Sequence, residues 1–563
     1  MNVNIASYLT AAAEKAPSRP AVLFPSGYDP AGRVSYRQMT FRQLDEESDR
    51  FAHGLTRMGI APGCRVLLMV PPGIEFIALT FALFKMGAVL ILIDPGIGRS
   101  HLLRCIEGVE PQAMIAVPLM HALRVLYRRH FGQVKYAVTF GRRWFWAGAT
   151  LDQVREQPRE RFAPAKVKGV DPAAILFTTG STGIPKGVIY LHSMFDAQVR
   201  SIQSYFRIDE GEVGMPAFPP FALFCVAMGT TCVLPHMNPT KPAQVDPGKI
   251  IRAIQDYKVT YSFGSPATWS RVSRYCVEHR IRLPSVKKVM MAGAPVPGVV
   301  LRRLKEVLAE DAECHTPYGA TEALPLTSIC GSEILHKTID LTNQGAGICV
   351  GRPLPGVTLR IIRITDGAIP EWEESLVLPA REIGEIVVKG SVVTREYYKR
   401  DDETELAKIR DGGSVWHRMG DVGYLDERER LWFCGRKSHR VITAEKTMFT
   451  VQCEAIFNQH ENVFRSALVG VGPRTRQRPV IVVEPEPGRM PARGWATKRF
   501  TEELLDLGRR NELTRNITDV LFHPAFPVDY RHNAKILREK LAVWAEDRLR
   551  GSAGSPWRGK SSQ

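Results

Sequence analysis

Short, wholly apolar runs alternate along the chain with longer segments in which apolar residues recur every three or four positions. The runs CRVLLMV, AVLILID and AAILFTT, which begin at Cys64, Ala88 and Ala173, read as buried strands, whereas DRFAHGLTRMGI from Asp49 has helical spacing. Such alternation predicts an α/β fold of stacked layers with largely parallel sheet. The longest apolar stretch, Phe76 to Ile93, contains Lys85 and Gly87 and ends in β-branched residues, so it predicts a buried helix running into a strand and no membrane span. From about Val357 the pattern changes to VTLRIIRI and GEIVVKG, short strands closed by glycine, as in a β-rich subdomain completing the large unit. Beyond FCGRKSHRVI the remaining residues carry strands and helices of their own (CEAIFNQH, RSALVGVG, PVIVVEP, TEELLDLGRRNELTRN). The pattern thus divides the chain into a large N-terminal domain (1–435), a hinge (436–440), a small α+β C-terminal domain (441–547) and a Gly/Ser/Pro-rich flexible tail (548–563).

Composition narrows the function classes. The chain has 563 residues, too many for one core, and 44% of them are hydrophobic, which suits a globular enzyme. Its formal charge of +17 is spread over the whole length, with no RNP-like or helix-turn-helix signature, so anionic small molecules account for it better than nucleic acid. Ten cysteines lack any C-x-x-C pair, which argues against a zinc site or disulfide framework and for the reducing cytoplasm. MNVNIASYLTAAAEK has no basic region before an apolar stretch and reads as an amphipathic helix, not an export signal.

The candidate chemistry begins at FTTGSTGIPKG, Phe177 to Gly187. It follows a strand, so backbone N–H groups can converge on an anion at a sheet edge. Gly180, Gly183 and Gly187 permit close approach, Thr178, Thr179, Ser181 and Thr182 offer hydroxyls, and Lys186 offers charge. A Walker A loop is excluded because Pro185 precedes the lysine and Gly187 follows it.

Further segments follow in order: MAGAPVP with Gly293, Ala294 and Pro295; YGATE with Tyr318, Gly319, Thr321 and Glu322; WHRMGDVGYLD with Asp421; GRK with Arg436; and NAKILREKL with Lys535. Together these resemble the acyl-adenylate-forming superfamily of acyl-CoA synthetases, luciferases and peptide-synthetase adenylation domains. The resemblance implies a large adenylate-forming domain with a mobile C-terminal lid. It implies ATP and Mg²⁺ as cofactors, with the Thr178–Lys186 loop on the β- and γ-phosphates, Gly293–Pro295 beside adenine and Tyr318–Gly319 in the nucleotide site. Asp421 would bind the ribose hydroxyls, Arg436 would be the hinge arginine, Thr321 would donate to the α-phosphate, Glu322 would hold Mg²⁺, and Lys535 would be the catalytic lysine. Carboxylate attack on the α-phosphorus sets negative charge against negative charge, so positioning and neutralisation carry the catalysis.

The segments AFPPFALFCVAMG and YSFGSPATW, with Phe221, Phe224, Phe263 and Gly264, hold no charged side chain and predict an apolar acyl pocket. Within the superfamily, FPPFALF, MNPTKPAQVDP, FGSPA, TPYGATE and FPVDYRHNAKILREKLA look most like the β-lactone synthetase branch of bacterial long-chain olefin formation. That likeness implies a long-chain 2-alkyl-3-hydroxyalkanoic acid as substrate, and company with a lactone decarboxylase and a reductase. Acyl-CoA ligases commonly continue G-R-x-D-x-x-I-K-x-x-G at the hinge; here Ser438, Ile442 and Glu445 occupy the Asp, Lys and final Gly positions. Those departures count against thioester formation; the alternative reading is a long-chain fatty acyl-CoA or acyl-AMP ligase. Ala222 stands where many relatives have histidine, and His192, His315 and His417 are all near motifs as candidate bases for the hydroxyl proton.

Overall fold

The computed structural model describes residues 4–156, 160–178, 185–528 and 535–553. Its centre is a pair of seven-stranded sheets of matching design. In the first, the strands Ala149–Thr150, Tyr136–Thr139, Ala113–Ala116, Arg65–Met69, Val89–Leu92 and Pro172–Phe177 run parallel, and Gly187–Leu191 adds an antiparallel edge. In the second, Glu313–His315, Lys288–Met291, Tyr261–Gly264, Val213–Pro216, Thr231–Val233 and Pro20–Tyr28 run parallel, again closed by an antiparallel strand, Val34–Thr40.

Side chains alternate across each strand, and this distributes the apolar runs between cores. Val66, Leu68, Val22 and Met290 enter the core between the two sheets, with the helices Phe41–Arg57, Ile74–Lys85 and His192–Tyr205. Leu67 and Met69 face the opposite way, onto helix Arg99–Val109. Val289 and Met291 face the helices Pro247–Tyr257, Pro266–Glu278 and Gly298–Val307. Five layers result, helix, sheet, helix, sheet and helix. Lys85, the charge inside the apolar run, is buried against Asp45 (2.6 Å) and Asp49 (2.5 Å), which lie one turn apart on Phe41–Arg57.

The β-rich part begins earlier than its sequence pattern shows. An antiparallel sheet starts at Tyr318–Ala320 and Ala323–Ser328, continues through Ile348–Pro353, Leu431–Arg436, Ser414–Leu425 and Gly384–Gly390, and ends at Val357–Ile362. Its first strands escape the apolar pattern because one has three residues and the other contains Pro325.

Residues after Arg440 form a three-stranded sheet (Val463–Val471, Arg478–Pro485, Asp519–Phe522) with the helices Thr450–Phe457, Trp495–Arg509 and Arg538–Ala553. They enclose two apolar clusters whose members all lie between Val441 and Leu549. Helix Arg538–Ala553 runs past residue 548, where the composition suggests a tail, because Leu541 and Ala545 pack its first turns onto the sheet and the helix propagates from there. Among the described residues, no helix is long and apolar enough to cross a membrane.

Candidate active site

Sixteen of the candidate residues within the described segments line one cavity of about 2050 Å³: Thr178, Lys186, Phe221, Phe224, Phe263, Gly264, Gly293, Ala294, Pro295, Tyr318, Gly319, Thr321, Glu322, Asp421, Arg436 and Lys535. Thr179, Gly180, Ser181, Thr182 and Gly183 lie outside the described residues. The base of that loop is tied where Thr178 N–H donates to the Lys186 carbonyl (3.0 Å) and Lys186 N–H donates to Thr178 Oγ1 (3.3 Å). Lys186 pairs with Glu403, and its ammonium lies 5.0 Å from the centre of the Tyr397 ring. Gly187 serves strand packing and not anion approach, since a Cβ there would stand 2.9 Å from Ile175 Cγ2.

Ala320 pairs with Ala323, which makes Thr321 and Glu322 the two turn residues of a tight hairpin. Gly319 is required beside it because a Cβ would approach the Ala323 carbonyl oxygen to 2.7 Å. The turn is braced from three directions. Tyr190 Oη donates to the Thr321 carbonyl at 2.5 Å. Thr394 donates its N–H (2.9 Å) and its hydroxyl (3.0 Å) to the Glu322 carbonyl. Tyr397 Oη donates to Glu322 Oε1 at 2.8 Å, and burial next to that carboxylate raises the phenol's pKa, which keeps it the donor. Behind them Lys408 gives its ammonium to the Thr394 carbonyl (2.5 Å) and hydroxyl (3.1 Å), and burial pulls its pKa down to about 7. Tyr190, Thr394, Tyr397 and Lys408 were not legible as site residues: they reach the turn through pairing of strands and loops far apart in sequence.

Asp421 and Arg436 face each other on adjacent strands, with Arg436 Nη1 3.0 Å from Asp421 Oδ1. Tyr318 Oη donates to Asp421 Oδ2 at 2.5 Å. Burial raises the Asp421 pKa, against the opposing pull of Arg436, Tyr318 and Lys535. Oδ1, although close to Arg436, makes no hydrogen bond and so offers a buried acceptor to a ligand hydroxyl. Gly293, after strand Lys288–Met291, has φ of 91°, a conformation that favours glycine.

The apolar wall is centred on Phe221, whose ring stacks on Phe263 with centroids 3.8 Å apart. Gly264 lies under Trp269, where a Cβ would come within 3.3 Å of the indole. Ala222 is buried and does not line the cavity. Of the three histidines, His417 alone lines it, and burial, reinforced by Lys408, depresses its pKa well below the ordinary range. That shift leaves it a poor proton acceptor. His192 and His315 lie in the packing around it.

The segment 436–440, expected as a hinge, is tied by ion pairs from Lys437 to Glu385 (2.9 Å) and from Arg440 to Asp366 (3.0 Å). Ser438 lines the cavity, Ile442 N–H donates to Gln477 Oε1 (3.0 Å), and the exposed Glu445 accepts from Asn516 (2.9 Å).

The chain matches the AMP-binding enzyme family over residues 9–398. It is 45% identical over 552 residues to "Olefin beta-lactone synthetase" of Xanthomonas campestris pv. campestris, a match covering 96% of this chain and 97% of that one. It is 44% identical over 559 residues to the protein of the same name from Stenotrophomonas maltophilia, covering 97% and 98%. Among solved structures, ATP-bound MatB from Rhodopseudomonas palustris superposes with a TM-score of 0.77 over 97% of this chain and 100% of that one; at 21% identity the likeness concerns the fold alone. On the extent of the family match and its agreement with the two relatives, this chain belongs to the AMP-binding enzyme family and is an acyl-adenylate-forming ligase.

Proposed function

We propose that the enzyme uses ATP and Mg²⁺ to adenylate a long-chain 2-alkyl-3-hydroxyalkanoic acid and closes the product to a β-lactone. The observation that carries this reading is the 44–45% identity, over at least 96% of the chain, to two relatives named for that activity. In the first step a carboxylate oxygen bonds to the α-phosphorus and pyrophosphate leaves. In the second the 3-hydroxyl oxygen bonds to the acyl carbon, AMP leaves and the hydroxyl proton is released. Internal attack gains from proximity, and AMP as leaving group offsets ring strain.

The cavity suits both parts of such a substrate. At about 2050 Å³ it exceeds the ~300–1,000 Å³ of an ordinary small-ligand pocket, which leaves room for a nucleotide and long alkyl chains together. In this reading Asp421 Oδ1 accepts from ribose, Thr321 donates to the α-phosphate and Lys535 neutralises the reacting oxygens; the unpartnered Oδ1 and the presence of all three in the cavity lining support it. Glu322 fits a magnesium site: it lines the cavity and Tyr397 fixes its carboxylate. One hard carboxylate plus substrate phosphates is an ordinary Mg²⁺ arrangement. Bound there, the ion would neutralise phosphate charge. The ten free cysteines, most of them buried, suit a reducing cytoplasm. The proposed company is a lactone decarboxylase, which would consume the product, and a reductase of the same pathway.

The test is mass spectrometry of an incubation with ATP, Mg²⁺ and the hydroxy acid, without CoA. Release of AMP and of a product equal to the acid minus water is expected over many turnovers. Multiple-turnover acyl-CoA formation from a plain fatty acid would overturn the lactone reading.

A further inference from the structure

We infer that Gln198 is the subsite for the substrate's 3-hydroxyl group, its Oε1 accepting a hydrogen bond from that hydroxyl; the inference rests on the lactone-forming reading above. Phe195, Gln198, Val199 and Ile202 follow one another at i, i+3, i+4 and i+7 on helix His192–Tyr205, and all four line the cavity. One face of one helix is therefore presented to the acyl space, and glutamine is its single polar member.

The orientation of the amide follows from its partner. Gln198 Nε2 donates to the Leu324 carbonyl at 3.0 Å, and a carbonyl oxygen accepts only from a donor, so the N and O atoms cannot be exchanged. Oε1 is left buried and without a hydrogen-bond partner. Three cavity-lining residues carry such an atom among the described residues: Asp421, Arg418 and Gln198. The first two sit on strand Ser414–Leu425, and Gln198 alone lies on the helix whose Phe195 ring is 6.4 Å from that of Phe224 in the apolar wall.

Its position also meets the demand of the ring closure. The 3-hydroxyl is only three bonds from the carboxyl carbon, so its subsite has to lie close to the turn that carries Thr321. Gln198 bonds to Leu324, just past that turn, and its amide contacts Tyr190, whose hydroxyl donates to the Thr321 carbonyl at 2.5 Å. Accepting the O–H leaves a lone pair of the hydroxyl oxygen for the acyl carbon. Gln198 holds the proton's bond but does not take the proton. As the oxygen–carbon bond forms and the acyl–phosphate bond breaks, the proton leaves with the AMP phosphate. A plain acid leaves Oε1 unpaired, and a site built around a hydroxyl rejects the analogue that lacks it.

The test is ATP–pyrophosphate exchange with matched acids bearing and lacking the 3-hydroxyl, on wild type, Gln198→Met and Gln198→Glu. Wild type is expected to prefer the hydroxy acid by roughly 10-fold in kcat/KM. Gln198→Met should lose that preference by raising KM for the hydroxy acid alone. Gln198→Glu should keep it, because a carboxyl buried among apolar groups is protonated and offers both an acceptor and a donor for Leu324. Equal losses on both acids in Gln198→Met would mean a structural role and overturn the subsite. So would a wild type without preference, a comparison that needs no variant to fold. Absence of lactone from wild type would instead count against the proposed function, while the exchange preference is read independently of it.

Discussion

Glu322 is useful only as a carboxylate held still, and Tyr397, Thr394 and the turn geometry hold it. Glu322→Gln keeps the Tyr397 bond and removes the charge, so the Mg²⁺ concentration for half-maximal pyrophosphate exchange should rise by roughly 10-fold or more. An unchanged magnesium dependence would make Glu322 a structural carboxylate. A second residue-level prediction concerns His192, whose Nδ1 accepts from Ile5 N–H (3.3 Å) and whose pKa burial lowers to about 4. With an unfolded value of about 6.5, the unfolded chain binds the extra proton between those limits, so stability is intact above pH 6.5 and declines as pH falls toward 4. The loss reaches roughly 2 kcal/mol by pH 5. Thermal unfolding at pH 7.5 and 5 should therefore show a smaller acid-induced drop for His192→Asn than for wild type.

The strand Leu431–Arg436 and the segment after it connect the two parts of the cavity wall. Glu385 on strand Gly384–Gly390 is almost wholly buried between Arg418 (2.7 Å) and Lys437 (2.9 Å). Glu385→Gln leaves two cations without a carboxylate and should cost about 3 kcal/mol or more, seen as a lowered unfolding midpoint. Removing one member of such a group exposes the desolvation that the intact set offsets. Lys535 lies just ahead of helix Arg538–Ala553 and lines the cavity. Because its contact to the reacting oxygens is proposed to strengthen in the transition state, Lys535→Ala should lower kcat of pyrophosphate exchange by roughly 10²–10³ while ATP binding by calorimetry stays largely intact. Near-wild-type exchange would remove it from the mechanism.

At the scale of the whole molecule, one continuous cavity runs from the Asp421 side to the apolar wall, so the proposed nucleotide and acyl sites share one chamber. An acid without the 3-hydroxyl should accordingly stop at bound acyl-adenylate after about one turnover per site, and CoA should not release it; rapid-quench product analysis reads both. Sequence alone determined the alternation of layers, because parallel strands buried on both faces must be continuous apolar runs whatever surrounds them. It also offered the loop, turn and lysine motifs as candidates, because close approach and charge at a phosphate site demand particular residue types at short spacing. Tertiary structure decided what those motifs touch. The brace of Tyr190, Thr394, Tyr397 and Lys408 on the hairpin, the place of Gln198 on a cavity-facing helix, and the burial of Lys85 between two aspartates all depend on which distant segments pair. Local sequence carries no record of that choice: a tyrosine that bonds to a cavity-lining carboxylate and one that fills a core read alike until the strands are assembled.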